Sequence, residues 1–113
     1  MIELTLLPIL DEALDVPVVL EVPEDRPQSY VLLQKTGSRR VNRLDRATFA
    51  VQSIAPTLYE AAVLNEQVKA VMDGLPYAAA NVFRAELNSD YNFTDTETKE
   101  RRYQAVYHIT YKE

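Results

Sequence analysis

Cysteine and tryptophan are absent from this chain of 113 residues, and it holds two glycines and one histidine. Without cysteine there is no disulfide scaffold, no thiolate nucleophile, no Cys-ligated zinc and no iron–sulfur cluster. Phosphate-cradling loops need several glycines for close backbone approach, and Gly37 and Gly74 stand alone. Walker and dinucleotide fingerprints are therefore missing, and nucleotide chemistry through them is excluded. Any Ser-His-Asp triad would have to use His108, yet no Gly-x-Ser-x-Gly elbow accompanies it. A partly exposed strand position accounts for that histidine. Basic residues are also few: 12 Lys and Arg against 17 Asp and Glu leave a formal charge of -5. A nucleic-acid surface covering most of the protein would need the opposite balance, although a local basic patch is compatible with it.

No apolar run approaches the roughly 20 residues of a membrane helix. Met1 to Leu14 carries no Lys or Arg but has Glu3, Asp11 and Glu12, so it is expected to be neither a signal nor a transit peptide. Synthesis in a cytoplasm, with no membrane partner, is the expectation. An apolar fraction of 47% with 26% charged residues is that of a folded globular chain. Its length suits one core, so residues 1–113 are expected to form a single domain. There is no internal repeat or low-complexity tract.

Periodicity predicts a helix from Ile2 to Leu14, shortened to begin near Thr5 if Pro8 marks its first turn. Strands follow at Pro17 to Val22 and at Ser29 to Thr36, then a turn at Gly37-Ser38. A third strand is expected from Asn42 to Ile54, irregular near Asp45. The clearest element is a helix from Thr57 to Asp73, with a Thr57/Glu60 capping box and Gly74 as a left-handed C-terminal cap. Its buried stripe is expected to be Leu58, Ala61, Leu64, Val68, Val71 and Leu75, with Glu60, Asn65, Glu66 and Lys69 solvated. Val82 to Asn88 alternates as a strand with Phe83, Ala85 and Leu87 inward. Asp90 to Glu100 reads as a polar loop, and Arg101 to Tyr111 as a last strand with Tyr103, Ala105, Tyr107, Ile109 and Tyr111 on one face. The order α-β-β-β-α-β-β predicts an α+β fold, a largely antiparallel or mixed five-stranded sheet with both helices on one face.

Few side chains suggest chemistry. Asp90, Asn92, Thr94, Asp95 and Glu97 offer hard oxygen ligands, but the sixth position of an EF-hand loop would be Asp95, where glycine is needed, and the twelfth Arg101, where glutamate is needed. No metal or cofactor is expected. Asn92-Phe93-Thr94 matches a glycosylation acceptor, idle outside a secretory route. Arg39, Arg40, Arg43 and Arg46 cluster near Gly37-Ser38, either protecting a strand edge or contacting an anion or DNA. No aromatic residue interleaves them, so base stacking is not expected there. The seven tyrosines, Tyr103, Tyr107 and Tyr111 among them, suit a sheet surface or an assembly interface.

Several stretches taken together resemble a known family: Val31-Leu32-Leu33-Gln34-Lys35-Thr36-Gly37, Leu44-Asp45-Arg46-Ala47-Thr48-Phe49-Ala50-Val51-Gln52-Ser53, the Tyr59-Glu60-Ala61-Ala62 helix start, and Tyr91-Asn92-Phe93 with Arg102-Tyr103-Gln104-Ala105-Val106-Tyr107. They are similar to the small tail terminator proteins, also described as minor capsid or head–tail joining proteins, of long-tailed bacteriophages and prophages. The resemblance implies a non-enzymatic protein that assembles as a sixfold ring on the last tail-tube ring, stops tube growth and presents a surface to the head connector. It implies a virion location and a homo-hexamer when assembled. For the isolated chain a monomer is expected, with at most weak, non-specific contact to genomic DNA. Arg39, Arg40 and Arg43 are candidates for channel or partner contact, and Tyr91, Phe93, Asp95 and Glu97 for a subunit-interface loop that orders against a neighbour. A different neck or connector protein, or a small cytoplasmic ligand-binding module, is the alternative.

Overall fold

The computed structural model describes residues 1–113. The first helix, α1 (Ile2–Ala13), begins at Ile2, not near Thr5, and carries Pro8 in its interior. Proline deprives the Leu4 carbonyl of its helical donor, but Leu4 lies on the exposed side, where solvent can replace that donor. Ile2, Leu6 and Leu10 are buried on the other side.

The second element shrinks from the expected Pro17–Val22 to β1 (Val18–Val19). β1 runs parallel to β2 (Tyr30–Val41), pairing Val18 with Val31 and Val19 with Leu32. Parallel neighbours require the chain to leave the sheet and return, so pairing ends before Leu20.

β2 and β3 (Leu44–Ala55) form one long hairpin. The expected turn at Gly37-Ser38 is incorrect: β2 continues through it, and the chain reverses at Asn42-Arg43, whose φ angles are 53° and 67°. A two-residue loop with both φ angles positive matches the right-handed twist of its strands. Gly37 adjoins a register shift after Lys35, while Asp45, expected to be irregular, pairs in register with Arg40.

α2 (Leu58–Asp73) is capped by Thr57, whose hydroxyl accepts the Glu60 N–H at 3.1 Å. Gly74 is not left-handed, at φ -88° and ψ -1°. The chain instead turns directly into the single-turn helix α3 (Leu75–Ala78), with Pro76 in its first turn, where its missing N–H costs nothing. The buried stripe of α2 is Ala61, Leu64, Asn65, Val68 and Met72; Leu58 is exposed and Val71 only half-buried.

β4 (Val82–Asn92) is longer than expected and has two register shifts, spanning Phe83 and Asn88. Each extra residue breaks the alternation. Phe83 and Leu87, expected in the core, are consequently 54% and 43% exposed. β5 (Arg101–Tyr111) has the expected bounds, and Ala105, Tyr107, Ile109 and Tyr111 of its expected face are buried, whereas Tyr103 is only half-buried.

The strand order is β1-β2-β3-β5-β4, mixed because only β1–β2 is parallel. This is the expected α+β architecture, with α3 added. One buried cluster joins α1 and α2 to a single sheet face through Val31, Leu33, Phe49, Val51, Tyr107 and Ile109. The Tyr107 hydroxyl donates to Asp73 Oδ1 at 2.8 Å, fastening the end of α2 to β5. On the opposite face only Tyr30, Leu32 and Ile54 form a small buried group. The molecule measures 43 × 25 × 24 Å.

Candidate interaction surfaces

The sheet face without helices carries a polar band across β3, β5 and β4. Gln52 Nε2 donates to Gln104 Oε1 at 3.0 Å, and Gln104 Nε2 donates to the Tyr91 hydroxyl. Arg102 extends the band: its Nη1 donates to Gln52 Oε1 at 3.3 Å, and its Nε donates to the Phe93 carbonyl at 2.9 Å. Its guanidinium also lies 5.3 Å from the Phe93 ring centre, a cation–π contact. Tyr91 meets Phe93 edge to face at 5.9 Å.

Of the four residues expected in an interface loop, Tyr91 lies in β4 and Phe93 follows it. They form one half-exposed aromatic pair. Asp95 turns inward, accepting the N–H groups of Glu97 and Thr98 at 2.9 and 3.3 Å and pairing with Arg102 at 3.4 Å. Those bonds hold its carboxyl below the ordinary range, the Glu97 N–H contributing most. Glu97 points to solvent. The segment that reads as a featureless loop thus begins as strand and continues in turns bonded by its own side chains. The Asn92 side chain accepts from the Thr94 N–H at 3.0 Å, adding an Asx turn.

The arginines do not act as a unit. Arg40 is committed to Asp45, Nε to Oδ1 at 2.7 Å, which lowers the Asp45 pKa. Arg43 occupies the turn. Arg39 is paired across the hairpin with Arg46, one register step from Arg40–Asp45 and so on the other face. Arg39, Arg46, Gly37, Ser38, Thr48 and His108 line a shallow depression of about 350 Å³. His108 Nδ1 lies 3.0 Å from the Thr48 hydroxyl. Arg46 joins this group through strand register, which positions along the sequence did not reveal.

A second cluster was invisible in the sequence. Asn65, expected to be solvated, is 1% exposed, and its Nδ2 donates to Asp90 Oδ2 at 2.9 Å. Lys69, also expected to be solvated, bridges Asp90 at 2.7 Å and Glu66. The lysine hydrogen bond, helped by Asn65, depresses the Asp90 pKa; Asp90 and then Glu66 raise that of Lys69. Asp90, weighed above as a calcium ligand, is an anchor for the edge strand. A third feature is a groove of about 390 Å³ at the start of α2, lined by Val16, Gln28, Tyr59, Glu60 and Val63 among others. Three or more metal-binding side chains do not converge anywhere in the structure. No helix is long and apolar enough to cross a membrane.

These features define a small α+β domain with one helix-covered sheet face, one open polar face and exposed strand edges, a shape suited to packing against other chains. Its sequence matches the model of the family described as tail completion protein gp17 over residues 9–112, and the chain belongs to that phage tail completion family. It is a structural tail protein of a bacteriophage by that membership. No curated protein matches it significantly.

Proposed function

We infer that the protein closes the end of the phage tail tube as a ring, ends tube polymerisation and offers the surface on which the head connector docks. Family membership over residues 9–112 is the observation that carries this reading. The fold supports it. β4 pairs with β5 on one side only, and β2 has no outer partner beyond Leu32, so each subunit carries two different open edges. Two unlike patches per subunit are what a closed cyclic ring requires. On this reading the partners are the tail-tube protein and the head connector, the assembled state is a homo-hexamer at the head–tail junction of the virion, and the free chain is a monomer.

The aromatic pair Tyr91–Phe93 and the hairpin arginines, Arg39 and Arg43 foremost, are the proposed contact residues. DNA passing the ring would meet at most weak, salt-sensitive phosphate contacts. The role is non-catalytic. Complementation of a phage lacking this chain tests it: tails of uncontrolled length and unjoined heads are expected without the protein, and uniform tails with heads once it is restored. Uniform tails without heads would leave only the joining role; full infectivity in its absence would remove both.

A further inference from the structure

Arg39 and Arg46 face one another directly across an antiparallel pair, where like charges repel. Arg39 has no ion-pair partner, and Arg46 reaches only Glu86, at 3.9 Å, a carboxylate shared with Arg84 at 3.1 Å. Thr48 adds a hydroxyl to the same depression. His108 is held through Nδ1 by Thr48, which leaves Nε2 without a bond. Two guanidiniums with hydroxyl and imidazole neighbours are suited to an oxyanion. Beside them Val41 and Leu44, paired at the hairpin end on the same face, are exposed apolar side chains.

The complementary surface is on the chain itself, beside the outer edge of β2. From Asp11 to Asp25 the chain has Asp11, Glu12, Asp15, Glu21, Glu24 and Asp25 and no cation. None of these six forms an ion pair within the subunit. Within this stretch only Leu20-Glu21-Val22-Pro23-Glu24-Asp25 also shows large exposed apolar side chains, Leu20 and Val22. Carboxylates interleaved with Val22 match arginines beside Val41 and Leu44. The parallel β1–β2 register carries Leu20 alongside Leu33 to Thr36, near the middle of β2, whereas Arg39 lies toward the Val41 end and Arg46 opposite it on β3. Neither Arg39 nor Arg46 pairs with a carboxylate of this stretch within the subunit, which leaves both surfaces for a second copy.

We propose that the Arg39/Arg46/His108 depression is a carboxylate site that receives the Glu21–Asp25 segment of a second copy of this chain. The contact is heterologous, one patch of a subunit on a different patch of the next, as ring closure requires. A phosphodiester of the genome is the competing occupant. Glu86 beside the site and the overall charge of -5 oppose a polyanion more than a single side-chain carboxylate. The proposal rests on the ring reading, but it fails or stands separately.

The natural absence of cysteine supplies the test. Val41→Cys and Val22→Cys, made in separate and differently sized chains, are mixed, assembled on tail tubes and oxidised. The mixed disulfide should exceed its statistical share severalfold. It should vanish when the Val41→Cys chain also carries Arg39→Glu and Arg46→Glu, and return when the Val22→Cys chain carries Glu21→Lys and Glu24→Lys. Statistical product ratios, or trapping indifferent to these reversals, would overturn the proposal. So would displacement of the mixed product by short duplex DNA at physiological salt, which would assign the site to phosphate. Rings seen by microscopy without the mixed product would leave the ring reading and remove this contact; the mixed product without rings would do the reverse.

Discussion

Asp90 on the edge strand and Lys69 on α2 are joined at 2.7 Å, and the bond reaches from the helix layer to the outermost strand of the sheet. Asn65 completes the arrangement from one turn earlier on the same helix. β4 is the strand most in need of such a tie, because its two register shifts turn Phe83 away and leave Leu87 half exposed. Asp90→Asn should lower stability by about 1–2 kcal/mol at neutral pH, since it weakens hydrogen bonds to a partly buried charge. The pH dependence has a definite sign. A carboxyl with a lowered folded pKa adds stability above its unfolded value of about 3.9, and loses it as pH falls through the folded pKa. The melting difference between wild type and Asp90→Asn should therefore be full at pH 7 and shrink below about pH 4. An equal difference at both would refute the ion pair.

Tyr107→Phe tests the tie between α2 and β5. It deletes the hydroxyl that donates to Asp73 at 2.8 Å, and about 1 kcal/mol of stability should go with it. Burial, followed by the Asp73 carboxylate, pushes the Tyr107 hydroxyl well above the ordinary tyrosine pKa. A raised folded pKa gives stability that is complete below about pH 10 and declines as pH rises toward the folded value. Denaturant midpoints at pH 8 and above pH 10 should show the wild type losing more than Tyr107→Phe.

Val68→Asp should cost about 3–5 kcal/mol, because Val68 is fully buried between α2 and the sheet and the carboxylate would have no partner. Phe83→Ser should cost under about 1 kcal/mol, as expected of a largely exposed side chain. Thermal melts of the two variants distinguish this core from one that includes Phe83.

Arg43→Gly should stabilise the isolated chain by about 0.5–1 kcal/mol, since Arg43 holds φ at 67° in a two-residue turn where glycine is favoured. Arg39→Ser should melt no lower than wild type, since it relieves the repulsion with Arg46, and should weaken assembly. An Arg43→Gly variant that melts earlier would show that the guanidinium contributes more within the fold than the turn geometry indicates.

The two long helices and β5 were legible because an amphipathic stripe, a Thr57 cap and alternation from Arg101 to Tyr111 each carry their own signal, whereas the single turn α3 carries none. The β2–β3 turn was misplaced because glycine draws attention to Gly37, whereas a bulge also accepts glycine and Asn42-Arg43 supplies the positive φ angles without one. β4 was misread because an inserted residue reverses every later position. Neither Arg39 with Arg46 nor Asn65 and Lys69 with Asp90 could be paired from spacing alone: the first depends on strand register, the second on where α2 crosses the sheet edge.

Electron microscopy of the concentrated protein mixed with assembled tail tubes tests the central claim most directly. A sixfold ring of added density at one end of each tube, with no further elongation when tube protein is supplied, is the result expected. Tubes that keep growing at both ends, or that bind the protein along their length with no ring at an end, would contradict it.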